Sequence, residues 1–270
     1  MKTFKKQLMA CILTAAMAVC TFAIVTPANA ATPTARQYIS KMNKAVQKAK
    51  SYEFKQTSQM TGSISGQSFS NTQTQKQIYF KKPLKIKTVT TSKMKMPTTS
   101  GTTRSLSYTK KASNGHYYLY QATGGNTYDK TDITDMTSNT TSMDYFSSAK
   151  IVKKGVKVNG VNTIQISAQI EGKSLGKMME QLGMGDLFSQ AGVDFSTLKP
   201  MKATIWINQK TYLPVKTKND STAFINSYME NLYSSMGISG SNATYSKFIT
   251  TTTYSKFNKA SSFKIPKECK

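Results

Sequence analysis

Apolar and polar residues alternate with a period of two through most of this chain, and that period commits it to β-structure. Tyr52 and Phe54 alternate with Glu53 and Lys55, and Ile78 and Phe80 stand in the run 75–81. After Pro83, Leu84 and Ile86 alternate with Lys85 and Lys87, and threonines continue the run to Thr91. Leu106 and Tyr108 follow, then His116-Tyr117-Tyr118-Leu119-Tyr120. Threonine and aromatic enrichment with this alternation predicts half-buried antiparallel strands. The strongest hairpin signal is Asn159-Gly160, a type I′ pair between 151–158 and 161–170. In the second of those strands Ile164, Ile166, Ala168 and Ile170 share a face. Further strands are expected at 202–208, 212–216 and 245–257, and the polar stretches 62–70 and 97–103 read as long hairpin loops.

Helical signals are fewer. Ile39, Met42, Val46 and Ala49 make one stripe on a helix over 36–50, with Thr34 as N-cap. Lysines fill its other face, so it could lie on a membrane, but the narrow stripe suits packing on a sheet better. A short helix is expected over 174–182, and 138–149 is weakly helical, with Met143, Tyr145 and Phe146. Segment 222–236 fits either a helix or a strand. A leading helix, many strands and few inserted helices predict an α+β fold with a strongly curved antiparallel sheet and helices gathered on one side.

The first thirty residues constrain location. Lys2, Lys5 and Lys6 precede an uncharged run from Leu8 to Val25, and Pro27-Ala28-Asn29-Ala30 leads to Ala31. This is the pattern of a secretory signal peptide cut between Ala30 and Ala31. The run is also about long enough to span a bilayer, so an uncleaved anchor is the alternative. A lipoprotein signal is disfavoured because Val19 stands before Cys20. Residues 1–30 are therefore expected to be a leader and 31–270 a single exported domain, free or peripherally attached. Cleavage would remove Cys11 and Cys20 and leave only Cys269, so no disulfide framework is available.

The chain carries a formal net charge of +25; the leader holds three of its lysines and no acid, so +22 remains. Of the basic residues only Arg36 and Arg104 are arginines. Arginine is the usual bidentate reader of phosphates and bases, whereas lysines make a diffuse positive field. An anionic membrane surface or wall polymer is the expected partner of such a surface. Nucleic acid is not, since no recognition helix, zinc site or RNA-binding signature is present. The oligomeric state is not encoded in any motif.

Several segments together resemble a known pattern: Ser51-Tyr52-Glu53-Phe54-Lys55 after the first helix, then Tyr79-Phe80-Lys81-Lys82-Pro83-Leu84-Lys85-Ile86-Lys87. Tyr117-Tyr118-Leu119-Tyr120 before Asn126-Thr127-Tyr128-Asp129-Lys130 continues it, as does Ile205-Trp206-Ile207-Asn208 before Thr211-Tyr212-Leu213-Pro214-Val215-Lys216. In that order they resemble the lipoprotein-carrier superfamily of LolA and LppX type, and most nearly its Gram-positive secreted DUF6612-like relatives. The resemblance implies an unclosed half-barrel whose concave face is covered by helices, with acyl chains held between the two.

Catalytic and metal patterns are missing. His116 would need an orienting carboxylate and a nucleophile to act as a base, and no Gly-x-Ser-x-Gly elbow exists. Asp129, Asp132 and Asp135 recur every three residues without the glycine and closing glutamate of a calcium loop. No metal or cofactor is expected, and the chain reads as a non-enzyme.

Apolar strand positions remain. Phe54, Ile78, Phe80, Leu84, Ile86, Tyr118, Tyr120, Ile164, Ile166, Trp206, Leu213 and Val215 are the expected inward set. Met178 and Met179 on the short helix, with Met184 and Met201 nearby, would form an adaptable cover. These residues predict a site for a lipid or other apolar ligand, or else a solid core. In the second reading the protein is an interaction module that binds anionic polymer or a protein through its lysines.

Overall fold

The computed structural model describes residues 33–124, 127–134, 146–181, 193–237 and 243–269. The leader with its cleavage site, Asp135, Met184 and the stretch 138–145 lie outside these residues. Among these residues, eleven strands form one antiparallel sheet. They are β1 (Ser51–Ile64), β2 (Gln67–Lys81), β3 (Leu84–Lys95), β4 (Ser100–Lys111), β5 (Tyr117–Gly124) and β6 (Thr127–Asp132), then β7 (Phe146–Val158), β8 (Val161–Ile170), β9 (Met201–Asn208), β10 (Pro214–Asp220) and β11 (Ala243–Ser255). The order across the sheet is β6-β5-β4-β3-β2-β1-β11-β10-β9-β8-β7. Helices α1 (Ala35–Lys48), α2 (Gly172–Gln181) and α3 (Thr222–Ser235) complete the α+β fold.

Two meanders thus meet at a central β1–β11 seam, and β6 and β7, neighbours in sequence, are the opposite edges. That order forces curvature. Asp132 at the end of β6 lies in the cross-strand row of Ser51. Phe146 at the start of β7 lies one step beyond the row of Gln59. In a flat sheet these points would be about 55 Å apart. The chain from Asp132 to Phe146 reaches about 50 Å when fully extended. The sheet therefore curls its edges toward each other without closing, as an unclosed half-barrel.

Local sequence accounts for most elements. Thr34 caps α1 in a full capping box, its hydroxyl accepting from the Gln37 amide while the Gln37 side chain accepts from the Thr34 amide. Asn159 and Gly160 take φ of 50° and 77°, the left-handed pair that a type I′ turn requires. Ser65 and Gly66 do the same at 51° and 78°. The expected loop over 62–70 is consequently a tight turn between two long strands. Similarly, β4 begins at Ser100, inside the second expected loop. Phe146–Ala149 is strand, not helix, because it pairs with β8 from Ile170 onward. Segment 222–236 resolves as a helix: Phe224, Ile225 and Tyr228 fall on one buried face.

Directly opposed residues in an antiparallel pair point to the same side, so the registers assign every side chain to a face. Ile164 opposes Ile207, Ile166 opposes Ile205, Ala168 opposes Ala203, and Ile170 opposes Met201. At one end of this stripe Tyr38, Ile39 and Met42 of α1 cover the isoleucines. At the other, Leu175 of α2 and Phe224, Ile225 and Tyr228 of α3 pack on Ile170, Met201 and Phe248. The three helices among the described residues thus lie on one side of the sheet.

The opposite side is buried elsewhere. Residues 257–261 pass the start of β1, where the Asn258 amide donates to the Ser51 carbonyl, and the tail then crosses toward β6, where Phe263, Ile265 and Cys269 pack on Tyr108, Tyr120, Tyr118 and Tyr128. Lysines fasten it: the Lys85 ammonium donates to the Phe263 carbonyl at 3.0 Å and that of Lys110 to the Cys269 carbonyl at 2.7 Å. Cys269, next to the C-terminal residue, is only 1% exposed. Burial pushes its thiol pKa up.

Candidate functional site

The expected inward residues do not share one surface. Phe54, Leu84, Ile86, Ile164 and Ile166 stand on the helix side. Ile78, Phe80, Tyr118, Tyr120 and Trp206 stand on the other. Tyr120 lies at 2% exposure beneath the tail. Phe80 meets Phe263 edge-on at 5.9 Å, and the Lys216 ammonium sits 5.1 Å over the Trp206 ring. Leu213 is half-buried in the turn before β10, and Val215 is buried at the irregular start of that strand. Met178 and Met179 belong to α2, but their side chains lie outside the described residues. The physical reason for the split is register. Ile78 and Phe80 oppose Glu53 and Ser51, not Phe54, and a one-residue offset sends a whole alternating set to the other face.

The helix-side surface of β1 to β3 has a distinctive composition. Tyr52 stacks on Tyr79 at 4.7 Å and meets Phe257 at 5.5 Å, while Phe54 meets Tyr254 at 6.1 Å. Burial raises the phenol pKa of both Tyr52 and Tyr79. Beside these rings, Leu84, Ile86 and Leu119 remain half-exposed. Farther along the strands the same surface turns polar but uncharged. Gln56, Ser58, Thr250 and Thr252 are buried there, Ser58 and Thr250 sharing a hydroxyl hydrogen bond of 3.0 Å and Thr252 donating to Gln56 at 3.3 Å. Gln73, Gln75 and Gln77 extend the uncharged strip onto β2.

Charge is segregated by face. Glu53, Lys55, Lys76, Lys85, Lys87, Lys93 and Lys95 all point to the side opposite the described helices. Among the charged residues of β1 to β3 only Lys81 stands on the helix side, at a strand end, where it donates to the Gln47 carbonyl at the end of α1.

His116 does have a carboxylate partner. Its Nδ1 lies 2.6 Å from Asp132 Oδ2, and its ring stacks on Tyr118. The Thr134 hydroxyl and amide also donate to Asp132. These bonds, that from the Thr134 hydroxyl foremost, hold the Asp132 carboxyl down at about 2. Both partners are exposed. Asp129 and Asp132 cannot share a calcium loop, because both belong to β6 and face opposite sides of it. Sequence spacing found the histidine and the aspartate separately; only the β5–β6 register joins them.

No protein-family model and no curated protein matches the chain. Among solved structures, it is similar to a DUF1329 family protein from Desulfovibrio piger, with 9% identity, 86% of this chain and 96% of that chain covered, and a TM-score of 0.27. It is also similar to a putative outer membrane lipoprotein-sorting protein domain from Vibrio parahaemolyticus, with 11% identity, 78% and 83% covered, and a TM-score of 0.21. Neither superposition is close, and the fold class rests on the sheet order itself.

Proposed function

We propose that this chain is a non-enzymatic, exported cell-envelope protein that binds a lipid or other acyl-bearing ligand on the helix side of its curled sheet. The leader would be removed between Ala30 and Ala31, leaving one carrier-like domain over 31–270. The observation that carries the reading is the uncharged helix-side strip of β1 to β3. Half-exposed Tyr79, Leu84 and Ile86 offer apolar contact, and the adjoining Gln and Thr side chains can hydrogen-bond a headgroup or ester. On exposed strands, charge gathered on one face, with only Lys81 at a strand end on the other, marks a surface kept uncharged for contact. The LolA-type resemblance read from the sequence agrees with this location.

The test uses a fluorescent polyene fatty acid as probe, with mass spectrometry of lipid extracted from the secreted protein. Ile86→Lys places a charge on the strip and should weaken probe binding about tenfold or more. Ile78→Lys places the same charge on the opposite face and should change it little. Uptake unaltered by Ile86→Lys, or no probe uptake and no co-purified lipid, overturns the proposal. Circular dichroism establishes that both variants remain folded.

A further inference from the structure

The face opposite the described helices carries a second, unrelated chemistry. One cross-strand row begins at Lys150 and passes Ser167, Thr204 and Lys218. It continues as a threonine ladder over four strands, Thr251, Thr57, Thr74 and Thr91, and ends at Arg104. No acidic residue interrupts the row. In the neighbouring row Lys216 and Lys55 flank Thr253, and Lys55 directly opposes Lys76. Like charges directly opposed on a sheet are destabilising. At the β7–β10 end a groove of about 610 Å³ opens, walled by Lys150, Lys202 and Lys218 with Ser148, Gln169 and a single acid, Asp220.

We infer that this face binds a linear polyol-phosphate polymer, seated in the groove and running across the strands along the Lys-Thr row. The lysines supply point charges for successive phosphates, and the Ser and Thr hydroxyls hydrogen-bond phosphate oxygens and polyol hydroxyls. A concave groove lined by hydroxyls fits a chain; a planar membrane surface could not follow it. Strands that place Lys55 against Lys76 gain from an anion that bridges them. This site lies on the face opposite the proposed lipid strip and stands independently of it.

The test measures binding of a glycerol-phosphate oligomer by calorimetry and compares it with phosphatidylglycerol vesicles. Lys150→Gln/Lys202→Gln/Lys218→Gln should weaken oligomer binding about thirtyfold or more. Lys44→Gln/Lys48→Gln/Lys177→Gln removes the same charge from exposed helix positions and should cost less than about threefold. Lys55→Gln should lower affinity yet raise the melting temperature of the unliganded protein. Equal losses in the two triple variants, or no oligomer binding, overturn the proposal. So does a lower melting temperature for Lys55→Gln. Vesicle binding that depends on the groove lysines more steeply than oligomer binding also overturns it, in favour of a membrane surface.

Discussion

Two residues carry sharp energetic consequences. The Tyr120 hydroxyl is buried beneath the tail with no hydrogen-bond partner among the described residues. An unpaired buried hydroxyl costs about 1–3 kcal/mol. Tyr120→Phe should therefore leave stability unchanged or raise it by up to about 1 kcal/mol, read from urea denaturation. Gly172 lies at the opposite extreme. A Cβ there would sit 2.2 Å from the Phe195 carbonyl oxygen and 2.9 Å from Leu198 Cβ. Gly172→Ala should destabilise by about 1–3 kcal/mol by the same measurement, because α2 must move off the 3₁₀ turn Phe195–Thr197. The sequence suggested neither. A Gly in a Gly-x-x-x-Gly stretch looks like a loop residue until the backbone opposite it is known.

At the scale of elements, the tail is the piece whose attachment depends on pH. Glu53 Oε1 accepts from the Ser261 amide at 2.7 Å, and its carboxylate pairs with Lys256 at 3.1 Å. Burial pushes this carboxyl up, but the bonds from Ser261 and Lys256 outweigh it and leave its pKa below the ordinary glutamate value. A lowered folded-state pKa contributes stability that is present above the unfolded value and is lost as pH falls through the folded one. The tail should thus loosen below about pH 4. Hydrogen-exchange protection of residues 257–269, corrected for the intrinsic pH dependence of exchange, should fall there, and Glu53→Gln should show the weaker protection already at neutral pH. Protection flat from pH 7 to pH 3 would refute the link. The Asn159-Gly160 hairpin and the capped first helix were legible because each is specified within a few residues. Ser65-Gly66 carried the same signal, hidden by polar flanks on both sides. Segment 222–236 was ambiguous because its apolar residues suit both periods until Phe248 and Met201 supply a partner for one face.

Across the whole molecule, the helices bury part of one face of the sheet and the tail buries part of the other. The alternation in each strand was plain in the sequence, but not which alternate set faces the helices. That depends on turn lengths and on the irregularities at Thr61/Gly62 and Pro214/Lys216. Phe54 and Phe80 were therefore placed together although they belong to different interiors. Two interiors should also behave as two cooperative units. Deleting 257–270 should speed amide exchange in β3 to β6 and leave β8 and β9 protected, as read by mass spectrometry. Uniform deprotection of all eleven strands would show a single unit instead.

The central seam has a consequence for how the chain reaches this state. β1 pairs with β11, so Phe54 meets Tyr254 across nearly the entire sequence. Such distant pairing makes folding slow, since a very long loop must close before the contact rewards it. Until the last strand exists, the first has one side unsatisfied, and the early meander cannot complete its sheet. Folding is thereby deferred until β11 has been made, a delay that suits the export proposed above.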